Sequence, residues 1–200
     1  MANLTKIFGA SYFLLLLSGC LSIGSGPLTN SISIPSGQFY IKQQLPSGFC
    51  SDENAYSSTA FQETMVVTNC VAVNNDNNFY FSRRPVDTIV NITFTKTIVP
   101  RNISQQKYLS TIAKNVDFKK VLAGTSNKKI VYGEKKLLKK FFHVNFQIIN
   151  SSKRKEFVRK YFFIVDNKMA VMTILSFQKP RKNTYRAFES FIKKVILASS

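Results

Sequence analysis

An apolar run from Ile7 to Leu17 follows a single cation, Lys6, and closes on the small residues Ser18 and Gly19 just before Cys20. It is shorter than the roughly 20 apolar residues that a membrane-crossing helix needs. A short cationic start, an apolar middle and a small-residue exit are the three parts of an export signal. Whatever folds must therefore be built from the residues that follow, in a compartment where cysteines are oxidised.

Leu17-Ser18-Gly19-Cys20 resembles the bacterial lipoprotein signature, the lipobox, in which an aliphatic residue and two small ones precede a cysteine. The resemblance implies thioether attachment of diacylglycerol to Cys20, cleavage before it and acylation of the new amino group. Two or three acyl chains anchor a protein stably, whereas one gives marginal binding. It thus implies a lipid-anchored, periplasm-facing protein of a bacterial cell envelope. Leu21, where an aspartate would act as a retention signal, favours the outer over the inner membrane of a Gram-negative cell. The chain divides into a signal peptide (1–19), a lipidated tether rich in Ser, Gly, Pro and Asn (20–37) and one domain (38–200).

With Cys20 acylated, Cys50 and Cys70 are the pair left for an intramolecular disulfide. Free thiols used in redox chemistry are the alternative, disfavoured because a Cys-x-x-Cys spacing is missing. Charge is distributed unevenly. Residues 21–95 carry three bases against five acids, and residues 96–200 carry 24 bases against five acids. A surface of that sign attracts anionic partners such as lipid headgroups or envelope polymers. The abundance of Lys, Asn, Ile and Phe also fits AT-rich coding, in which case the lysines mark only a solvated face.

Phe39 to Gln43 reads as a short strand, Leu45 to Cys50 as a turn that delivers a cysteine, and the residues through Thr59 as a polar loop. Met65 to Val73 has the β-branched content of a buried strand, followed by a turn over Asn74 to Asn78. Thr88 to Ile98 alternates Val90, Ile92 and Phe94 with polar neighbours, the pattern of a strand with one buried face. Ser104 is placed to cap a helix running to Asn115. Lys129 to Tyr132, Leu137 to Ile149, Glu156 to Val165 and Lys168 to Phe177 then read as an antiparallel meander. Asn150 to Lys153 and Asp166-Asn167 are its hairpin turns. Asn183 to Ala198 sets Tyr185, Phe188, Phe191, Ile192, Val195 and Ile196 on one side of a closing helix, expected to pack on the apolar face of the meander.

These elements predict an α+β fold: a mainly antiparallel sheet packed by a C-terminal helix and one inserted helix. The order strand, helix, meander, C-terminal helix, and above all Tyr161 to Leu197, resembles the PsbP/Mog1/DcrB-like fold, which includes bacterial envelope lipoproteins. Leu45-Pro46-Ser47-Gly48-Phe49-Cys50-Ser51-Asp52, with Asn69-Cys70, resembles a segment of uncharacterised exported proteins of alphaproteobacteria. Neither resemblance brings a catalytic residue with it.

Sites for chemistry are sparse. His143, the single histidine, sits on a strand, and neither a metal-binding His/Cys cluster nor a Gly-x-Ser-x-Gly elbow is present. Ala123-Gly124-Thr125-Ser126 reads as a turn and lacks phosphate-loop spacing. The expectation is a non-enzymatic protein without metal or cofactor, a hydrolase with an unrecognised site being the minor alternative. Basic runs are the remaining signal: Lys135-Lys136, Lys139-Lys140 and Lys179 to Arg186. Lys153, Arg154, Lys155, Arg159, Lys160, Arg181 and Lys182 are the candidates for contact with an anionic membrane or envelope polymer. Nucleic acid is set aside because an exported lipoprotein does not meet it. An accessory role in an envelope protein complex, through protein docking, is the second reading.

Overall fold

Side chains of β-strands alternate between faces, and in the segment from Tyr161 to Val165 both sets are apolar and buried. Such a sheet must be covered on both sides. A computed structural model, which describes residues 28–36, 39–70, 87–100, 102–117 and 129–199, shows how this is done. The strands are β1 (Leu28–Thr29), β2 (Ser31–Ser36), β3 (Phe39–Gln44), β4 (Phe49–Ser58), β5 (Gln62–Asn69), β6 (Thr88–Ile98), β7 (Lys129–Leu137), β8 (Phe141–Ile149), β9 (Lys155–Val165) and β10 (Lys168–Ser176). Helix α1 (Gln105–Asn115) lies between β6 and β7, and α2 (Lys182–Ala198) ends the described chain. Eight strands form one antiparallel sheet in the order β1-β4-β5-β6-β10-β9-β8-β7, while β2 and β3 make a separate hairpin. The fold is α+β, and β7 to β10 form the expected meander.

Helix α2 covers one face. Its Phe188, Phe191, Ile192, Val195 and Ile196 pack with Val90, Ile92, Tyr161, Phe163 and Met172, and the β2–β3 hairpin extends this layer through Ile32 and Ile34. Phe188 meets the ring of Phe49 edge-on at 4.8 Å. Helix α1 covers part of the other face with Leu109, Ile112 and Ala113 against Phe142, Val144, Phe162 and Ile164. The two helices therefore lie on opposite faces of the sheet. Burying a large apolar side chain completely contributes about 1.5–3 kcal/mol, so this two-sided burial dominates the stability.

Local signals explain the boundaries that the sequence predicted well. The Ser104 side chain accepts from the Lys107 amide at 3.3 Å and caps α1. Asp166 and Asn167 both take positive φ, 46° and 56°, which suits a two-residue type I′ hairpin between β9 and β10. Gly48 at φ 83° is the third residue of a turn closed by the Phe49 amide donating to the Pro46 carbonyl, a position that favours glycine. That turn sets Cys50 opposite the end of β5, and Cys50 and Cys70 are disulfide-bonded with Cα atoms 4.9 Å apart.

Three expectations are corrected. Residues 28–36, read as the far part of the tether, form β1 and β2, because Ile32 and Ile34 alternate with serines and bury themselves at 4% and 1% exposure. The polar loop after Cys50 is strand β4, which pairs with β5 across a register shift between Ser51 and Tyr56. Leu137 to Ile149 is not one strand: Leu137 ends β7, and the chain turns before β8 starts at Phe141. The signal peptide, Cys20, and the turns at Asn74 to Asn78 and Ala123 to Ser126 lie outside the described residues.

The disulfide closes a loop of 20 residues, for which chain entropy gives about 3 kcal/mol of stabilisation. Replacing both Cys50 and Cys70 by serine should lower the unfolding free energy in urea by about that amount. Equal stability of the oxidised chain and the double variant would contradict this.

Candidate functional site

Strand register brings three basic segments to one end of the sheet. Lys129 pairs with Ile149, which pairs with Lys155, so both lysines stand in one row across β7, β8 and β9. The β8–β9 turn projects Lys153 and Arg154 from the same end, all exposed. Its shape is fixed by Asn150, whose Oδ1 accepts from the Arg154 amide at 2.9 Å, and by Lys153 at φ 60°. Phe157 pairs with Ser176, which brings the β10–α2 connection, with Lys179, Arg181 and Lys182 exposed, alongside. Arg181 is the N-cap of α2 without a side-chain cap bond, and the first turn holds no acid. Cations at the positive end of a helix dipole are unfavourable, so this end presents unneutralised positive potential. Lys135 to Lys140 belong to the opposite end, near the β7–β8 turn, and the basic runs do not merge into one patch.

Arg159 and Lys160 leave the surface in opposite directions, as neighbours on a strand must. The Arg159 side chain, 15% exposed, enters a polar cluster under α2. Its Nε donates to Asn145 Oδ1 at 2.6 Å, and Nη1 donates to the Tyr161 hydroxyl at 3.2 Å and to Glu189 Oε1 at 3.3 Å. The guanidinium also lies 3.6 Å from the centroid of the Tyr185 ring, a cation–π contact. Burial pushes the Tyr161 phenol well above its ordinary value, so it remains a neutral donor to Glu189. Next to it His143, 4% exposed, stands edge-on to the Tyr161 ring at 5.5 Å. Neither of its ring nitrogens has a hydrogen-bond partner among the described residues, and burial followed by the Arg159 charge lowers its pKa. It is a neutral interior histidine.

Lys160 points to the α1 face between Val144 and Thr173. Loss of water around it pushes its ammonium down to about 8.

Among the described residues, hollows open at two places that bear on the site. One, of about 240 Å³, lies at the basic end between β7, β8, β9 and the start of α2, and its lining includes Val131, Asn145, Phe157, Arg159, Lys179 and Tyr185. The other, of about 460 Å³, lies between the β2–β3 hairpin and the sheet and is lined by Tyr40, Lys42, Ser33, Ser51 and Tyr56 among others. Burial, then hydrogen bonding with Tyr40, raises the Tyr56 phenol to about 12. Among the described residues no three His, Cys, Asp or Glu side chains come together to hold a metal ion, and no helix is long and apolar enough to cross a membrane.

Of the sequence candidates, the structure gathers Lys153, Arg154, Lys155, Arg181 and Lys182, joins Cys50 to Cys70, and separates Arg159 and Lys160 from the rest. Lys129 and Asn145 were not singled out, and Tyr185 was read as part of the apolar side of the closing helix rather than as a partner of Arg159. The register that aligns them depends on where β7 and β8 begin, which the sequence blurred at Leu137.

No protein-family model matches this chain, and no curated protein sequence matches it. Among solved structures it is similar to the Ran-binding protein Mog1p of Saccharomyces cerevisiae, with 9% identity over 84% of this chain and 96% of that one and a TM-score of 0.47. It is also similar to cyanobacterial PsbP (CyanoP) of Synechocystis sp. PCC 6803, with 9% identity over 90% of this chain and 95% of that one and a TM-score of 0.42. The fold and the site described above stand on the residues alone.

Lys160 gives a pH test. The unfolded chain holds the proton more tightly, with an ordinary pKa of 10.5 against about 8 when folded. Stability should therefore rise with pH between those values, and below about 8 the folded state carries a penalty of up to about 3 kcal/mol. Lys160→Met should raise the unfolding free energy at neutral pH by about 1–3 kcal/mol and flatten the rise. A destabilised variant, or an unchanged pH profile, would contradict it.

Proposed function

We propose that this chain is a non-enzymatic, lipid-anchored protein of a bacterial cell envelope, with the basic end of its sheet lying against an anionic membrane or envelope polymer. The observation that carries the reading is the convergence of Lys129, Lys153–Lys155 and Lys179–Lys182 at one end. The lipobox-like Leu17-Ser18-Gly19-Cys20 supports the anchor and the location. The cations of this end are solvent-exposed and sit on short turns, where a flat anionic surface reaches them. Each Lys or Arg held near such a surface contributes about 1 kcal/mol, and the attraction weakens with salt. The interior histidine favours a binding role over hydrolysis, since its nitrogens are sealed from substrate and from any hydroxyl nucleophile.

The test is flotation of the Cys20→Ser chain, which cannot be acylated there, with vesicles containing anionic phospholipid. Replacing Lys153, Arg154 and Lys155 by glutamate should weaken binding by at least about 3 kcal/mol, roughly a hundredfold, and remove most of its salt dependence. Binding unchanged by the triple replacement would remove the electrostatic reading.

A further inference from the structure

The hollow beside Arg159 refines that reading, on which it rests, because it sits within the basic end and is built differently from the exposed turns. A guanidinium has five N–H donors. In Arg159 the Nε hydrogen goes to Asn145, and the two on Nη1 go to Tyr161 and Glu189. Nη2 keeps both of its hydrogens without a partner among the described residues, and it is not sealed from solvent. The group is held in place by those three bonds and by the Tyr185 ring 3.6 Å away, so its free nitrogen is preorganised at no further entropic cost. Lys179 stands on the rim, and the lining of the hollow contains no acid.

This geometry selects among anions. A planar carboxylate is recognised best by two parallel N–H groups on adjacent nitrogens, and that fork is already spent on Asn145 and Glu189. What remains is one nitrogen on Arg159 and a mobile ammonium on Lys179. A tetrahedral oxyanion can give a separate oxygen to each. Val131, Phe157 and Pro180 supply apolar wall next to these donors, which suits an esterified carbon more than a fully hydrated ion.

We propose that the hollow between Arg159 and Lys179 binds a single phosphate ester, one oxygen on Arg159 Nη2 and another on Lys179 Nζ, with the ester carbon against Val131 and Phe157. A phospholipid headgroup and a soluble phosphate ester share this chemistry. The hollow would then give the basic end a stereochemically defined contact in addition to its diffuse attraction.

The experiment is a calorimetric titration of the full chain with glycerol phosphate and, in parallel, with inorganic phosphate. Two variants at exposed positions leave the Arg159 cluster intact: Val131→Trp fills the hollow without changing charge, and Lys179→Gln removes one of the two cations. Saturable binding of glycerol phosphate, weakened at least about tenfold in each variant, supports the proposal. Weaker binding of inorganic phosphate than of glycerol phosphate supports the contact of the ester carbon with Val131 and Phe157, and equal binding of the two overturns it. Absence of saturation, or binding untouched by Val131→Trp, overturns the hollow while leaving vesicle attachment through the exposed turns standing. Conversely, a Lys153, Arg154, Lys155 triple glutamate variant that floats normally but still binds glycerol phosphate sinks the surface reading and keeps the hollow.

Discussion

Strands β9 and β10 are apolar on both faces, so neither can be left against water, and the rest of the molecule answers that requirement. Tyr161, Phe163 and Met172 look toward α2, whereas Phe162, Ile164 and Val171 look toward α1. The β2–β3 hairpin covers what α2 does not reach on its face, and the disulfide ties the start of β4 to the end of β5 beside it. Without both helices the central strands would expose phenylalanine and isoleucine over a large area, at about 25 cal/mol per Å².

Against that background the polar groups inside the sheet stand out. Arg159 lies where β9 passes from its polar start into the core and is matched by Asn145, Tyr161 and Glu189. Its neighbour Lys160 has no such set and loses proton affinity instead. The contrast is one of supply: a buried charge is tolerated where partners converge and is partly neutralised where they do not. The convergence around Arg159 coincides with the start of α2, where basic side chains crowd a helix terminus that ordinarily favours acids. The anion site proposed for this end lies where the two meet.

Elements with a strong period were legible in the sequence. Thr88 to Ile98 alternates cleanly and is β6 with those bounds, and Ser104 caps α1 where its spacing from the apolar stripe places it. The closing helix begins one residue earlier than its stripe suggested. Polar strands were not legible. Ser31 to Ser36 and Phe49 to Ser58 have the composition of linkers, and they become strands because partners across the hairpin and on β5 supply their hydrogen bonds. The candidate site was half visible: the exposed turn Lys153 to Lys155 followed from its composition, but the separation of Arg159 from Lys160 needed the strand alternation to be applied to charges as strictly as to apolar residues. Lys129 and the Arg159 partners depended on register across three strands, which local pattern does not encode.

The most direct measurement is amide hydrogen exchange of the full chain with and without anionic vesicles. If the basic end is the contact, protection should rise at Asn150 to Lys155 and Lys179 to Thr184, while the β7–β8 turn at the opposite end is unchanged. Protection centred on the opposite end, or on the β2–β3 hairpin, would contradict the account and move the functional surface elsewhere.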